Sequence, residues 1–114
     1  MKETVNYQET FELLDIRSGT VIGCEHFKKS RNPSYKLVID FGAEIGHKNS
    51  SAQITAHYTE ESMVGRQVVA IINFPPRNIA GFMSEVLILG VYDENKEVIL
   101  LKPERQLPNG SIIG

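Results

Sequence analysis

The sequence predicts a mainly β protein: one small barrel of five strands, with a short N-terminal helix and a second short helix between strands three and four. Three observations carry that reading. "YKLVIDFG" alternates cleanly, with Tyr35, Leu37, Ile39 and Phe41 on one side and Lys36, Val38 and Asp40 on the other, the period of a half-buried strand. "RQVVAIIN" is a continuous, largely β-branched run, as in a strand buried on both faces. Between them, "TEESMVG" carries the signals of a single helical turn. Thr59 caps it, Glu60 and Glu61 suit the positive end of its dipole, and Gly65 stops it.

The remaining elements follow in chain order. Thr4 to Leu14 reads as a weakly specified helix, with Phe11 and Leu14 three residues apart on one face. From Asp15, "DIRSGTVIGCEHF" sets Ile16, Val21 and Phe27 among small and polar residues, as a bent strand does, and Gly19 and Gly23 are where it bulges or coils. "HKNSSAQIT" is polar enough for an edge strand or extended loop. "SEVLILGVYD" and "EVILLK" read as two strands joined by the hairpin "DENK", and the tail 103–114 holds a Pro-Asn-Gly turn before Ile112 and Ile113. Short strands with a helical turn between the third and fourth give the outline of an OB-type barrel, and periodicity alone also allows a two-sheet sandwich.

Composition bounds the function. With 114 residues, 41% hydrophobic and 23% charged, the chain predicts one domain over 1–114 with a real core. A lone Cys24 forms no intrachain disulfide, which favours a reducing compartment. No apolar run approaches a membrane span, so no membrane insertion is expected, and "MKETVNYQETFELL" carries acids where a signal peptide needs its apolar centre. The expectation is a cytoplasmic protein. A net charge of −2 gives no bulk field to draw in nucleic acid, so RNA binding requires a local patch.

Catalysis finds little support: His26, His47 and His57 are scattered, Cys24 and His26 lack the companions of a zinc site, and "GAEIGH" lacks the spacing of a phosphate loop. Asp93, Glu94 and Glu97 fall at a hairpin tip, where solvation explains them better than metal binding. No catalytic residue, metal or cofactor is therefore predicted. Two features remain. Lys28, Lys29, Arg31 and Lys36 fall within nine positions, and with Lys48 and Arg77 on the same face would make a six-cation RNA-binding patch. "NFPPRNIAGFMSE" interleaves Phe74, Ile79, Phe82 and Met83 with turn residues, and these four are the candidates for a shallow polypeptide-binding pocket. Phe82 and Met83 alternate in direction, so only one of them is expected to face the pocket while the other packs inward.

"NFPPRNIAGFMSEVLILG" resembles the signature of the tRNA-binding-domain family, OB folds found alone or appended to methionyl-tRNA synthetases. Asn73, Pro76, Arg77, Gly81, Ser84 and Glu85 match that pattern, "LDIRSGTVI" is similar to the family's opening strand, and the likeness covers Phe11 to Gly114. Carried over, it implies RNA contacts at Asn73, Arg77, Ser84 and Glu85, and tRNA as a partner. Two departures stand out: Pro75 occupies a position where relatives often have lysine, and Val86-Leu87 replaces a common Gly-Met pair. With "VIDFGAEIG", "SSAQIT" and "LPNGSIIG", these changes point within the family to free-standing bacterial chaperones that bind unfolded polypeptides or preproteins and assist their secretion. That resemblance implies a homodimer and a partner such as the SecA translocation ATPase. The dimer contact is expected from the N-terminal helix and the tail, at Phe11, Leu14, Leu107, Pro108, Ile112 and Ile113.

Overall fold

The computed structural model describes residues 1–114. Its centre is a five-stranded antiparallel sheet in the order β3 (His47–Ala52), β2 (Tyr35–Asp40), β1 (Ile16–His26), β4 (Gln67–Ile71) and β7 (Leu87–Ile88), coiled into a nearly closed barrel. β1 (Ile16–His26) is the axis: its first half pairs with β4 (Gln67–Ile71) and its second half with β2 (Tyr35–Asp40). The two pairings meet at Thr20, and a bulge follows between Val21 and Gly23, close to where the glycines predicted one. Gly19 lies beneath the bend, where a Cβ would sit 2.8 Å from both Ile39 and Phe41 side-chain atoms.

The alternation predicted for β2 is present, with Tyr35, Leu37 and Ile39 buried, and every residue of β4 is buried. Burial of β4 on both faces divides the apolar interior in two. Val68 and Ala70 join Val21, Leu37, Phe41 and Met63 in the main core, while Val69 and Ile71 join Ile16 in a smaller one. α1 (Glu60–Met63) plugs the main core with Met63, which is fully buried. Thr59 and Ser62 form a reciprocal capping box, and Gly65 at φ +91° ends the turn.

β3 (His47–Ala52) is the edge of the sheet, and side chains rather than a full ladder close the barrel across it. The Asn49 amide donates to Glu85 Oε1 at 2.9 Å, the Ser51 amide to Ser84 Oγ at 3.0 Å, and Ser50 Oγ to the Val86 carbonyl at 3.0 Å. The Glu85 amide returns one backbone bond to Asn49 at 2.8 Å. These groups satisfy an edge that otherwise invites another strand.

Two expectations need correction. The helix over 4–14 reduces to a 3-10 turn at Phe11–Leu13. Asn6 supplies the reason: its side chain accepts the Glu9 amide and its carbonyl accepts the Thr10 hydroxyl, local bonds that compete with helix propagation. The strand expected over "SEVLILGVYD" is divided among β6 (Phe82–Ser84), β7 (Leu87–Ile88) and β8 (Gly90–Tyr92), because each stretch of two or three residues changes partner. β6 pairs with β5 (Arg77–Ile79), β7 with β4, and β8 with β9 (Val98–Leu100) across the expected turn.

The segment after β9 returns to the free side of β1. The Ser18 amide donates to Ser111, the Gly110 amide to Ser18, and the Ile113 amide to Ile16, at 2.7–2.9 Å. Ile113, Phe11 and Leu14 pack on the smaller core, so three of the residues expected at a dimer contact also cover their own barrel. Ile112 and Leu107 stay exposed, at 74% and 41%.

Candidate ligand-binding faces

The β5–β6 hairpin stands between two clefts, and its local chemistry sets both. Ala80 and Gly81 have φ of +48° and +88°, the two positive angles of a type I′ turn, which matches the twist of paired strands. Asn78 Oδ1 accepts the Gly81 amide at 2.8 Å and secures the turn. Cross-strand partners share a face, so Arg77, Ile79, Phe82 and Ser84 turn toward the barrel while Asn78 and Met83 turn away. Phe82 and Met83 do point opposite ways, but the outward one lines neither cleft: Met83 is 46% exposed, while Phe82 packs edge-on to Phe27 at 5.5 Å.

One cleft, of about 450 Å3, lies between this hairpin and the β1–β2 loop, with Lys28, Lys29 and Lys36 above Phe27 and Phe82. Lys36 Nζ is 5.5 and 5.6 Å from the two ring centroids and 3.1 Å from Glu25, so its ammonium is partly engaged. Arg31 is exposed in the same loop but does not line the cleft. The other cleft, of about 440 Å3, is walled by Phe74, Pro75, Pro76, Val86 and Leu87, with Arg77 and Glu85 among its polar groups. Phe74 and Leu87 are 44% and 46% exposed, which leaves apolar surface open at that wall.

The predicted site residues therefore divide. Of the polypeptide candidates, Phe74 lines the apolar cleft, Ile79 a hollow beside it, Phe82 the basic cleft, and Met83 neither. The six cations form no single patch: Lys28, Lys29 and Lys36 share one cleft, Arg77 lines the other, and Lys48 sits 4.0 Å from Glu85. Ser84 and Glu85 close the barrel as described above. Asn73 ties down the N-terminal segment, accepting the Asp15 amide and donating to the Leu13 carbonyl, both at 2.9 Å. Leu87 is the most exposed of the apolar cleft's aliphatic residues and, like Val86, was missed by sequence reasoning. Its signal was the alternation Val86, Leu87, Ile88, in which Leu87 turns opposite to its neighbours.

Titratable groups elsewhere have structural explanations. Burial, helped by the carboxylates of Glu60, Glu61 and Glu25, pushes the Cys24 thiol up to about 11, far from a reactive thiolate. His57 Nε2 lies 2.8 Å from Asp93 Oδ2 and 3.6 Å from Glu97 Oε1, with the three donor atoms within 4.8 Å of one another. This is a hydrogen-bonded clasp that draws the β8–β9 hairpin to the loop before α1. Next to it the Tyr58 hydroxyl accepts the Leu100 amide at 2.9 Å and the Tyr58 carbonyl accepts the Tyr35 hydroxyl at 2.7 Å. The Asp93 carboxyl is held below the usual carboxylate range, first by the Glu97 amide and then by His57 and the Asn95 amide.

Comparison with known proteins places this geometry in a family context. A family profile described as a putative tRNA binding domain matches residues 16–112. Among solved structures, the chaperone CsaA of Bacillus anthracis is 50% identical with a TM-score of 0.92, covering 98% of this chain and 100% of that one. The CsaA chaperone protein of Picrophilus torridus is 42% identical at a TM-score of 0.90, covering 97% and 100%. Among curated relatives, a methionine–tRNA ligase of Porphyromonas gingivalis is 37% identical over 103 residues. That stretch is 90% of this chain but only 15% of the ligase's length. No helix of the protein is long and apolar enough to cross a membrane.

Proposed function

From the premise that this chain belongs to the putative tRNA-binding-domain family, we propose that it is a non-catalytic polypeptide-binding chaperone. It receives unfolded or pre-export chains in the cytoplasm and assists their secretion. The observation that carries this reading is the apolar cleft, where Phe74, Pro75, Pro76 and Leu87 form an open wall with no segment of the chain itself laid across it. Two CsaA chaperones that match this chain nearly end to end support it.

The energetics fit a binder that releases its client. Each apolar side chain buried in the cleft contributes about 1.5–3 kcal/mol, and two such groups must first offset association costs of at least ~4 kcal/mol. One cleft therefore binds weakly. A homodimer, with contacts near Leu107 and Ile112, offers two clefts and recovers affinity through avidity.

A second reading has its own support. Lys28, Lys29 and Lys36 over Phe27 and Phe82 join phosphate-neutralising charge to aromatic surface, on the loops that OB-type barrels use for oligonucleotides. The deciding experiment titrates the purified protein with tRNA and with a permanently unfolded polypeptide, at low and at physiological salt. The chaperone reading expects salt-tolerant binding of the polypeptide that Phe74→Asp removes. Binding of tRNA alone, with a steep salt slope, rejects it in favour of the RNA reading.

A further inference from the structure

The apolar cleft does not end at Arg77. A second hollow of about 370 Å3 opens on the other side of that residue, among Ile54, Ile79, Ile88, Val98 and Lys96. Ser51, Arg77 and Leu87 line both spaces, so the two form one groove with Arg77 at its waist. Arg77 is exposed and takes no part in any of the protein's ion pairs, and neither does Lys96. The one acid in the groove, Glu85, is already occupied by the Asn49 amide and Lys48. The groove thus presents apolar surface at both ends and unneutralised positive charge at the middle and far end.

Resting on the polypeptide reading above, we propose that this groove selects extended client segments in which a carboxylate side chain lies between two apolar ones, in the pattern apolar-x-acidic-x-apolar. An extended chain points every second side chain the same way and rises about 3.3 Å per residue, so same-face side chains step by ~6.6 Å. Three consecutive same-face positions then supply one side chain for each of the three parts of the groove. The outer two enter the hollows, and the central carboxylate meets the Arg77 guanidinium, whose forked donors suit it. Lys96 adds favourable charge at the far end. Clients recognised this way are read by spacing and charge as well as by apolar content.

Fluorescence anisotropy on the full chain tests this with three labelled peptides, each flanked by Gly-Ser repeats. They carry Leu-Ser-Asp-Ser-Leu, Leu-Ser-Lys-Ser-Leu, or the shifted order Leu-Asp-Ser-Ser-Leu. The Asp-centred peptide is expected to bind about tenfold tighter than the Lys-centred one and measurably tighter than the shifted one. Arg77→Glu, at an exposed position, is expected to reverse the Asp/Lys order while the melting temperature holds. Equal binding of the Asp- and Lys-centred peptides, or an unchanged order in Arg77→Glu, overturns the proposal. A permanently unfolded polypeptide is titrated in parallel: if it binds while the peptides show no preference, the selectivity fails and the chaperone reading stands. If it does not bind either, both fall. Displacement of the Asp-centred peptide from the groove by oligouridine in an Arg77-dependent manner also overturns the proposal, because the groove then belongs to RNA.

Discussion

Asn73 holds Asp15 across the barrel: its Oδ1 accepts the Asp15 amide at 2.9 Å while its Nδ2 donates to the Leu13 carbonyl at the same distance. A residue expected to touch RNA is thereby the strut that seats the N-terminal segment over the smaller core. Each bond contributes about 0.5–1.5 kcal/mol net. Asn73→Ala is expected to lower stability by about 1–2 kcal/mol in urea denaturation and to leave the salt dependence of tRNA binding unchanged. A flattened salt slope at wild-type stability would return Asn73 to the binding face.

Gly19 and Gly23 share a strand yet differ in what a methyl group would meet. At Gly19 a Cβ falls 2.8 Å from Ile39 and Phe41 atoms and 2.9 Å from the Asp40 carbonyl, whereas at Gly23 the nearest atoms are at 3.6 Å. Gly19→Ala is expected to cost about 1–3 kcal/mol by overpacking, and Gly23→Ala well under 1 kcal/mol. Thermal melts of the two variants side by side check the contrast.

Acid sensitivity of the β8–β9 hairpin follows from Asp93. Its folded-state value lies below the ordinary one, so the ionised carboxylate's contribution is present above the usual carboxylate range and is lost as pH falls through the lowered folded value. Protection of the Asn95 and Glu97 amides, whose N–H groups donate to Asp93 Oδ1 at 2.9 Å, should fall relative to intrinsic exchange at the same pH as the carboxyl protonates. Asp93→Asn keeps an acceptor for both amides and should remove this acid-dependent loss of protection.

Cys24 should behave as an inert thiol. With its pKa at about 11, against an ordinary value of ~8.5, the thiolate fraction at pH 8 falls by roughly two orders of magnitude. Iodoacetamide labelling of the native protein is expected to be at least ~100-fold slower than labelling in denaturant.

The basic cleft yields a prediction in salt. Three phosphate contacts give a slope of log K against log salt of about −2 to −3, and removing two of them reduces it by about 1.5. The double variant Lys28→Glu and Lys29→Glu should show that reduction with tRNA, and an unchanged slope would place any RNA contact elsewhere.

Legibility of the fold followed how local each cause was. β2 and β4 could be read because burial on one face or on both leaves its period in a handful of neighbouring residues, and α1 because Thr59 and Gly65 bracket it. The N-terminal helix was misread because one side chain, Asn6, redirects bonds that propensity alone assigns to a helix. The single strand after Ser84 was misread because β6, β7 and β8 each take a different partner, and β4, which β7 joins between two local hairpins, lies well upstream in sequence. At the candidate site, the turn at Gly81 and the opposition of Phe82 to Met83 were visible in the order of residues. The separation of the cations into two clefts was not, since the hairpin that divides them is a tertiary feature.

β1 also has a temporal role. Its first half meets β4 about fifty residues downstream, and its other side meets the tail through bonds such as Arg17 to the Gly110 carbonyl, ninety-three positions away. Pairings at such separations close large loops before they return any stabilisation, which slows folding. Until the tail arrives, the first half of β1 keeps one edge unpaired beside an uncovered apolar cluster of Ile16, Val69 and Ile71. While it folds, a protein proposed to shelter other unfinished chains thus passes through an interval in which it exposes the same kind of surface itself.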